Sequence, residues 1–447
     1  MYNEPVPSTQ RLVPRFVLGV GFICAQSSVA QTISSTSSID TWLDQPTMTG
    51  DWSGARTDLE SLGISPRAHI TSESAGNPLG GEEQTVRSTE QIDFGADIDL
   101  QRLLHIPYAK IQLTMTDRFG RSLSADAIGN QFAVQELYGA GQNFRLAELN
   151  YQQDFLEHTL AIEVGWSPVG DQFATIGAFC NFQNGIICGH NNAMTDNSGA
   201  HNFPTAEWGV RVKWQATPSF YAMSGVYQVN PNEGDANKGW DLSLRGTGVF
   251  APVELGWTTG DGAGQLPGIY KIGAYYNSSA TPDLFTDVNG HPAGLTSEPF
   301  EEHDGREGGY IMTDQMVYRE RADSLRGLSL GATIGLGDTA TAKYRYFAMA
   351  GGHYQGTFPG RDNDLIAFMF AYAKTNPRLT GYQEDRESVA PGSVGIQTYE
   401  SIAEVDYGAQ IAPWLLLRPN LQYVTNPGGT GKIPNALIIG LTVKATF

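Results

Sequence analysis

The sequence has little positive charge: 28 Lys and Arg residues face 47 Asp and Glu residues, a formal net charge of −19 over 447 residues. A chain this acidic is repelled by nucleic acid, and no basic patch interleaved with aromatic residues offsets that repulsion. Only 17% of the residues are charged and 40% are hydrophobic, which is typical neither of a disordered protein nor of a helical membrane protein. The composition therefore excludes nucleic-acid binding and predicts a folded chain.

Long apolar runs are also missing. The run at residues 16–25 has ten residues, whereas a membrane-spanning helix needs ~20. Two arginines precede this run, and the small residues Ser, Val and Ala at 28–30 follow it, which is the pattern of a secretory signal peptide cleaved before Gln31. We therefore expect residues 1–30 to be a signal peptide, with an uncleaved membrane anchor as the alternative.

Cysteine is scarce. Cys24 falls within the expected signal peptide, which leaves Cys180 and Cys188 in the segment FCNFQNGIICGH. Two thiols in an exported chain predict one disulfide, and a loop this short would gain only about 2–3 kcal/mol from it. Catalytic thiols or a zinc pair are the alternatives, although the spacing fits no zinc template.

Apolar and polar residues alternate along many short segments. In QIDFGADIDL, residues 91–100, the apolar residues take one face, and Gln and Asp occupy the other. Residues 160–167, 208–215, 328–336 and 399–407 repeat the alternation. Because successive side chains of a strand point to opposite faces, each segment predicts a strand with one apolar and one polar face.

Three features favour a barrel whose apolar face points outward over a soluble sandwich whose apolar face points inward. Aromatic residues lie near segment ends, at Trp166, Trp208, Trp214, Tyr227, Trp240, Trp257, Tyr276 and Trp414. Tight turns alternate with long polar loops at residues 118–143, 168–206, 278–309 and 375–397. The last alternating segment ends at Phe447, and this ending resembles the signal that delivers outer-membrane barrels to their assembly machinery.

Sixteen segments carry the alternation, at residues 66–75, 91–100, 110–117, 145–152, 159–167, 208–215, 219–229, 249–257, 269–277, 310–318, 328–336, 340–348, 365–374, 399–410, 414–424 and 436–447. An even number suits a closed bacterial barrel. The predicted fold is all-β: a closed antiparallel transmembrane β-barrel within residues 66–447, with loops folded into an aqueous lumen. Eighteen strands is the alternative, because residues 240–245 alternate as well.

A short amphipathic helix is predicted ahead of the first strand, within an N-terminal segment of residues 31–65. Four apolar residues from Trp52 to Leu62 fall at helical spacing, Asp51 is placed to cap the start, and Gly63 to end it.

The segment TGDWSGARTDLESLGI, residues 49–64, resembles the amino-terminal motif of the carbohydrate-selective porins, the OprB-like family of Gram-negative outer membranes. The resemblance continues in order through RLAELNYQQDF, CNFQN, PGIYKIGAYYN, PGRDNDL and the ending PNALIIGLTVKATF. It implies a sixteen-stranded barrel in the outer membrane of a Gram-negative bacterium. It also implies that glucose and related sugars diffuse passively through a channel narrowed by inward-folded extracellular loops.

A sugar-selective constriction needs charged and amide side chains beside aromatic rings, because a sugar presents both hydroxyls and CH faces. The candidates, from loops expected to fold inward and from lumen-facing strand positions, are Arg118, Arg121, Asp126, Glu136, Glu148, Asn181, Phe182, Asn184, Arg211 and Lys213. An ordinary solvated wall or loop residue is the alternative for each. The acidic excess favours cations over anions, whereas a neutral sugar scarcely feels it.

No cofactor or metal is predicted, and the expected partners are sugars, outer-membrane lipid and lipopolysaccharide, and the barrel assembly machinery. The acidic cluster at residues 301–304 is read as a solvated loop, with calcium binding as the alternative. A homotrimer remains open. The absence of a G-x-S-x-G motif disfavours an enzyme. Two other functions remain: a nonspecific or cation-preferring diffusion porin, and an exported soluble β-rich lectin or enzyme.

Overall fold

The computed structural model describes residues 36–139, 142–187, 189–260, 264–322 and 324–447. The expected signal peptide, residues 1–30, and Cys188 lie outside these ranges. The chain divides into two compact units, Met1–Thr41 and Trp42–Phe447, and the second contains every strand of the described chain.

Sixteen strands of the described chain form one closed antiparallel barrel, in which each strand pairs with its neighbours in the chain and the first pairs with the last. The barrel strands are β1 Ile64–Leu79, β2 Val86–Asp99, β3 Ala109–Gly120, β4 Phe144–Phe155, β5 Leu160–Ser167, β6 Glu207–Thr217, β7 Phe220–Val229, β8 Gly248–Thr259, β9 Gly268–Asn277, β12 Arg306–Arg319, β13 Gly327–Gly337, β14 Tyr344–Gln355, β15 Leu365–Thr375, β16 Tyr399–Ala412, β17 Leu415–Thr425 and β18 Ala436–Thr446. A separate hairpin, β10 Thr281–Asp287 and β11 Phe300–His303, lies in the connection between β9 and β12.

The described helices are short, and they lie in the N-terminal segment and in the connections between strands. The α-helices are α1 Thr36–Leu43, α2 Ala55–Ser61, α3 Leu100–Leu104, α4 Val169–Gln172, α5 Asn192–Ser198, α6 Ala293–Thr296 and α7 Pro377–Val389. In the described part of the chain, no helix is both long enough and apolar enough to cross a membrane.

The barrel carries its apolar residues outside. In β16, Val405 is 52% exposed, whereas Glu404 and Asp406 on either side of it are 1% exposed. A soluble fold would bury Val405 and expose the two carboxylates, because burying unpaired charge is costly. The alternative of a soluble β-rich protein with its apolar face inside is therefore excluded, and the outward-facing prediction is confirmed.

Every predicted segment overlaps one barrel strand, which confirms sixteen rather than eighteen strands in the barrel. Residues 240–245 alternate in sequence but form no strand, because they lie within an irregular connection. The predicted N-terminal helix is present as a 3-10 turn, Trp52–Gly54, followed by α2, and neither has a buried residue. Gly63, one residue past the helix C-cap Leu62, has φ +92°, a left-handed conformation that suits glycine.

The aromatic residues near strand ends divide into two groups. Trp214, Trp257 and Tyr276 are exposed on the barrel, as expected of an interfacial belt. Trp166, Tyr227 and Trp414 are instead buried: Trp166 packs with Ala206 and Leu242, the Tyr227 hydroxyl lies 2.6 Å from Gln172 Oε1, and Trp42 covers Trp414. The prediction of an interfacial position was therefore wrong for these three residues.

The longest connections share one end of the barrel, which we call the long-loop end. They span residues 121–143, 168–206, 230–247, 278–305 and 376–398. The opposite, short-turn end has connections as brief as residues 218–219 and 413–414. In outer-membrane barrels the long loops face outward from the cell and the short turns face the periplasm.

The core lies inside the barrel, where two long connections pack against the inner wall. Loop 121–143 and loop 168–206 supply most of its largest fully buried side chains, namely Leu123, Ile128, Phe173, Phe179, Phe182, Ile186, Ile187 and Met194, and the wall strands supply the others. The predicted inward-folded loops are therefore confirmed, and they narrow a lumen that sixteen strands alone would leave open.

Candidate functional site

Loop 168–206 is fixed inside the barrel by carboxylates of the wall. Glu254 Oε2 in β8 accepts hydrogen bonds from the Ala174 backbone N–H at 2.9 Å and from the Tyr310 hydroxyl at 2.8 Å. Its other oxygen accepts the Tyr221 hydroxyl at 2.8 Å and faces Lys271 Nζ at 3.4 Å. The Glu254 carboxylate thereby makes a charge-assisted hydrogen bond with the loop backbone inside the barrel.

The far side of the same loop is held in the same way. Glu404 in β16 accepts the backbone N–H groups of Gln183 at 2.8 Å and Asn184 at 3.1 Å. Arg418 in β17 donates to the carbonyl oxygens of Cys180 at 2.9 Å and Phe182 at 3.2 Å. Wall side chains thus satisfy backbone groups that the loop's irregular course would leave unpaired.

Loop 121–143 has equivalent anchors. Glu400 accepts the Gln131 backbone N–H at 2.9 Å and the Phe132 N–H at 3.3 Å. Glu73 in β1 accepts the Leu137 N–H at 3.2 Å. Inward-facing carboxylates that the sequence predicts to line water therefore hold the loops that narrow the channel.

The two loops enclose a cavity of ≈ 760 Å³, which we call the first cavity. Its polar lining includes Gln91, Arg118, Gln131, Glu136, Asp171, Thr175, His190, Asn192, Asp196 and Asn202, and its aromatic lining is Phe132, Tyr138 and Phe203. Arg118 Nε donates to Gln91 Oε1 at 2.5 Å, and the guanidinium lies 6.0 Å from the centre of the Phe203 ring. The cavity therefore combines hydrogen-bonding groups of both kinds with aromatic faces.

Desolvation inside the barrel shifts the pKa values of loop residues in this cavity, although Asp171 and Asp196 are exposed to the cavity space. It raises the pKa of Asp171 to about 7, against a hydrogen bond from the Phe203 backbone that lowers it and with support from the Glu148 carboxylate. Desolvation also raises the pKa of Asp196 to about 6 and lowers the pKa of His190 to about 4. The two carboxyls therefore keep their protons to a higher pH than carboxyls in bulk water, and His190 is uncharged at neutral pH.

A second cavity, of ≈ 370 Å³, shares Asp171 and Thr175 with the first and is lined by strand residues nearer the short-turn end. Its lining includes Lys110, Glu148, Gln152, Glu163, Arg211, Lys213, Tyr221 and Lys271. Arg211 pairs with Glu163 at 2.6 Å, and Lys213 Nζ lies 4.5 Å from the centre of the Tyr221 ring. The two cavities thus lie in series, with Asp171 and Thr175 where they join.

The structure places six of the ten candidate residues on cavity walls. Arg118 and Glu136 line the first cavity, while Glu148, Arg211 and Lys213 line the second. Asn181 lines a third cavity of ≈ 750 Å³, which also contains Arg326 and His353.

The other four candidates lie elsewhere. Arg121 pairs with Asp126 at 2.8 Å, and Asp126 also pairs with Arg87 at 2.5 Å, so these charges join loop 121–143 to β2. Phe182 is 1% exposed, and Asn184 is fully buried with its Nδ2 2.8 Å from Gln422 Oε1. All four therefore serve contacts between the loops and the wall.

Sequence reasoning missed seven polar lining residues of loop 168–206: Asp171, Thr175, His190, Asn192, Thr195, Asp196 and Asn202. The loop itself was expected to fold inward, but these residues follow no ligand or catalytic motif. The sequence signal that could have indicated a lining role was the position of Asp171, an acidic residue four residues past the end of β5, in a loop expected to fold inward.

Cys180 is exposed and lines the first cavity. Because Cys188 lies outside the described residues, the disulfide stays a prediction. Phe447 follows β18, and its backbone N–H donates to the Ala68 carbonyl of β1 at 2.9 Å, so the final residue lies at the seam where the barrel closes.

A closed sixteen-stranded barrel with an apolar exterior, and a polar lumen narrowed by its own loops, defines a diffusion channel of the outer membrane. Comparison with known proteins narrows this class. Residues 83–447 match the model of the carbohydrate-selective porin, OprB family. Porin B of Pseudomonas aeruginosa is 33% identical over 99% of this chain and 98% of its own.

A solved structure gives the same result. The high-pH structure of Pseudomonas putida OprB has a TM-score of 0.87 and 34% sequence identity, and the match covers 90% of this chain and 99% of that one. The chain belongs to the OprB family of carbohydrate-selective outer-membrane porins, as the sequence resemblance implied.

Proposed function

We propose that this porin carries glucose and similar small sugars across the outer membrane by passive diffusion. The supporting observation is the first cavity, where Arg118, Glu136 and Asp171 stand beside the rings of Tyr138 and Phe203. Donors and acceptors suit sugar hydroxyls, and aromatic faces suit the CH surface of the ring. A volume of ≈ 760 Å³ lies within the ~300–1,000 Å³ typical of small-molecule sites.

We assign Arg118 as a hydrogen-bond donor to the passing sugar, and Glu136 and Asp171 as acceptors. The first and second cavities share the lining residues Asp171 and Thr175, so contacts made in one can be exchanged for contacts in the next. Arg211, Lys213 and Glu148 line that second stage. Weak contacts at successive positions suit transport, since a tightly held sugar would not leave.

The second cavity is lined by side chains of both charge signs, so it is not suited to select solutes by charge alone. Arg211 lies against Glu163, and Lys271 against Glu254, so two of the four basic side chains of this lining face a carboxylate. A lining of mixed sign offers hydrogen bonds to a neutral solute without strongly attracting one ion. This favours sugar selectivity over the cation-preferring alternative that the net charge of −19 suggests.

We further infer that the sugar passes without any chemical step, and that Arg121, Asp126, Phe182 and Asn184 shape the channel through the loops. Partnership with the barrel assembly machinery through Phe447, contact with lipid and lipopolysaccharide, and a homotrimer remain proposals.

Liposome swelling tests the proposal. Purified porin in vesicles is challenged with glucose, with gluconate as an anion of similar size, and with glucosamine as a cation of similar size. We expect glucose to enter faster than both. Equal rates for all three would indicate a nonspecific pore, and fastest entry of glucosamine would indicate a cation-preferring one.

A further inference from the structure

Three potential metal ligands from separate segments converge at the long-loop end. His201 is near the end of loop 168–206, Glu207 is the first residue of β6, and Glu233 lies in loop 230–247. His201 Nδ1 lies 2.8 Å from Glu207 Oε1 and 4.0 Å from Glu233 Oε2. One ligand atom from each residue lies within 4.8 Å of the other two.

Both carboxylates are buried with unused oxygen atoms. Glu207 is 2% exposed and Glu233 is 4% exposed. Within the described chain, Glu207 Oε2 and both carboxylate oxygens of Glu233 accept no hydrogen bond of good geometry, although the Val169 backbone approaches Glu207 and the Asn230 side chain approaches Glu233. A buried carboxylate without partners is costly, and two of them side by side cost more. These carboxylate oxygen atoms of Glu207 and Glu233 are therefore placed to coordinate a cation.

The surrounding side chains do not supply that cation. Arg145 is the nearby guanidinium, and it donates to the backbone carbonyls of Glu233 at 2.9 Å and Asp235 at 3.4 Å, and to Asn143 Oδ1 at 2.9 Å. It therefore fixes the course of loop 230–247. Asp241 adds a further negative charge that acts on Glu233.

We propose that His201, Glu207 and Glu233 form a binding site for a divalent first-row transition-metal ion of the Zn²⁺ type. Zn²⁺ with bonds of about 2.0–2.2 Å in tetrahedral geometry separates its ligand atoms by about 3.4 Å. The distances of 2.8 and 4.0 Å lie on either side of this value, so small side-chain rotations complete the site. An imidazole ligand favours Zn²⁺ over Ca²⁺ or Mg²⁺, which prefer oxygen alone.

The ion would act on the mouth of the channel. It would join loop 168–206 and β6 to loop 230–247 through one centre. Asn202 and Phe203, which follow His201 directly, line the first cavity. A metal at His201 therefore holds the rim of the sugar path in place, and its binding requires an Nδ1 atom that carries no proton.

A second cluster provides the comparison. Asp283, Glu301 and His303 also bring three ligand atoms together. Asp283 Oδ1, however, accepts the backbone N–H groups of Phe285 at 2.7 Å and Thr286 at 2.8 Å, and the Arg378 guanidinium as well. Because Arg378 already neutralises Asp283, this cluster does not need a metal ion.

The test measures Zn²⁺ bound to the folded full-length porin in detergent. Protein stripped with a chelator is titrated with ZnCl₂, desalted and analysed for metal by mass spectrometry. The variants are His201→Gln and Glu233→Gln, with His303→Gln as the matched control. Heat-modifiable gel mobility confirms that each variant retains the barrel, and parallel titrations use MnCl₂ and CaCl₂.

We expect one Zn²⁺ per wild-type chain, a rise in the thermal unfolding temperature on Zn²⁺ addition, and the same binding in His303→Gln. His201→Gln and Glu233→Gln should weaken binding by more than about 100-fold, because even changes to groups that merely orient a ligand cost 10–100-fold. Absence of Zn²⁺ from the folded wild-type protein would overturn the proposal. So would unchanged binding in both cluster variants, or a site that takes Ca²⁺ and refuses Zn²⁺.

Discussion

The carboxylate of Glu254, on the barrel wall, accepts the backbone N–H of Ala174, inside the lumen, at 2.9 Å. This one contact joins β8 to the loop that carries Asp171 and Thr175, the residues shared by the two cavities. The position of the narrow part of the channel therefore depends on a residue of the wall that lies outside the described lining of either cavity.

Replacement of Glu254 by Ala should loosen loop 168–206 without opening the barrel. The change removes the acceptor for Ala174 and Tyr310 and leaves Lys271 without its partner, and each lost buried contact costs about 1–3 kcal/mol. Hydrogen exchange of the loop amides should accelerate while the barrel strands stay protected. Glu301→Ala, at an exposed loop position, is the control. Unchanged exchange in Glu254→Ala would show that the loop is held by its apolar packing alone.

Arg118→Ala should reduce the preference for glucose. The substitution removes a guanidinium from the wall of the first cavity beside Phe203. A hydrogen bond to a charged group contributes about 1.5–3 kcal/mol, and loss of the positive charge also eases entry of a cation, so the ratio of glucose to glucosamine entry should fall by about tenfold or more. Arg121→Ala, whose partner is Asp126 on the loop surface, should leave this ratio near the wild-type value. Equal ratios in wild type and Arg118→Ala would remove Arg118 from the sugar path.

The ion preference of the channel should change with pH through Asp171. Desolvation raises the pKa of this carboxyl to about 7, so it is neutral below that pH and negative above it. Cation preference, measured as the reversal potential under a KCl gradient, should therefore increase as the pH rises through about 7. Asp171→Asn should abolish the step, and Asp126→Asn should retain it. A step that persists in Asp171→Asn would assign the titration to another group.

Phe447→Asp should lower the amount of assembled barrel in the outer membrane. The residue directly follows the last strand at the seam with β1, so a charge there would meet lipid and alter the proposed assembly signal. Heat-modifiable protein in membrane fractions is the measurement. Phe358→Asp, in an exposed turn, is the control. Equal levels of Phe447→Asp and wild-type barrel would contradict the assigned role.

Reduction should alter sugar flux if Cys180 pairs with Cys188 as predicted. Cys180 lines the first cavity, so freeing it would loosen that wall while the barrel stays closed. Thiol alkylation followed by intact mass measurement, before and after reduction, decides the pairing. Two alkylated thiols in the unreduced protein would rule the disulfide out.

The strands were predictable because lipid imposes a strict rule on them. Each span needs apolar side chains on one face, and an alternation such as that around Val405 has no other use in so many consecutive segments. The hairpin β10–β11 was missed because it is short, lies outside the barrel and pairs with itself. The alternation of apolar and polar residues predicts strands that contact lipid, so it does not predict elements that make no lipid contact.

The site was less predictable, because alternation shows which residues point inward but not what they meet there. Glu404 was expected to carry charge inside, and it does, but its partners are two backbone N–H groups of a loop more than two hundred residues away in the chain. Likewise His201, Glu207 and Glu233 show no ligand spacing, since folding alone brings loop 230–247 beside β6.

The pairing of β1 with β18 has a consequence for biogenesis. His69 faces Thr446 and Gly76 faces Ile439, so β1, the first barrel strand in chain order, gains its second neighbour only once β18 has been synthesised. Before β1 and β18 pair, the backbone N–H and C=O groups at both open edges of the sheet would face lipid hydrocarbon. Each unpaired group costs several kcal/mol there. An incomplete, unclosed barrel is therefore unstable in the bilayer, so closure of the barrel and its insertion into the membrane must be coupled.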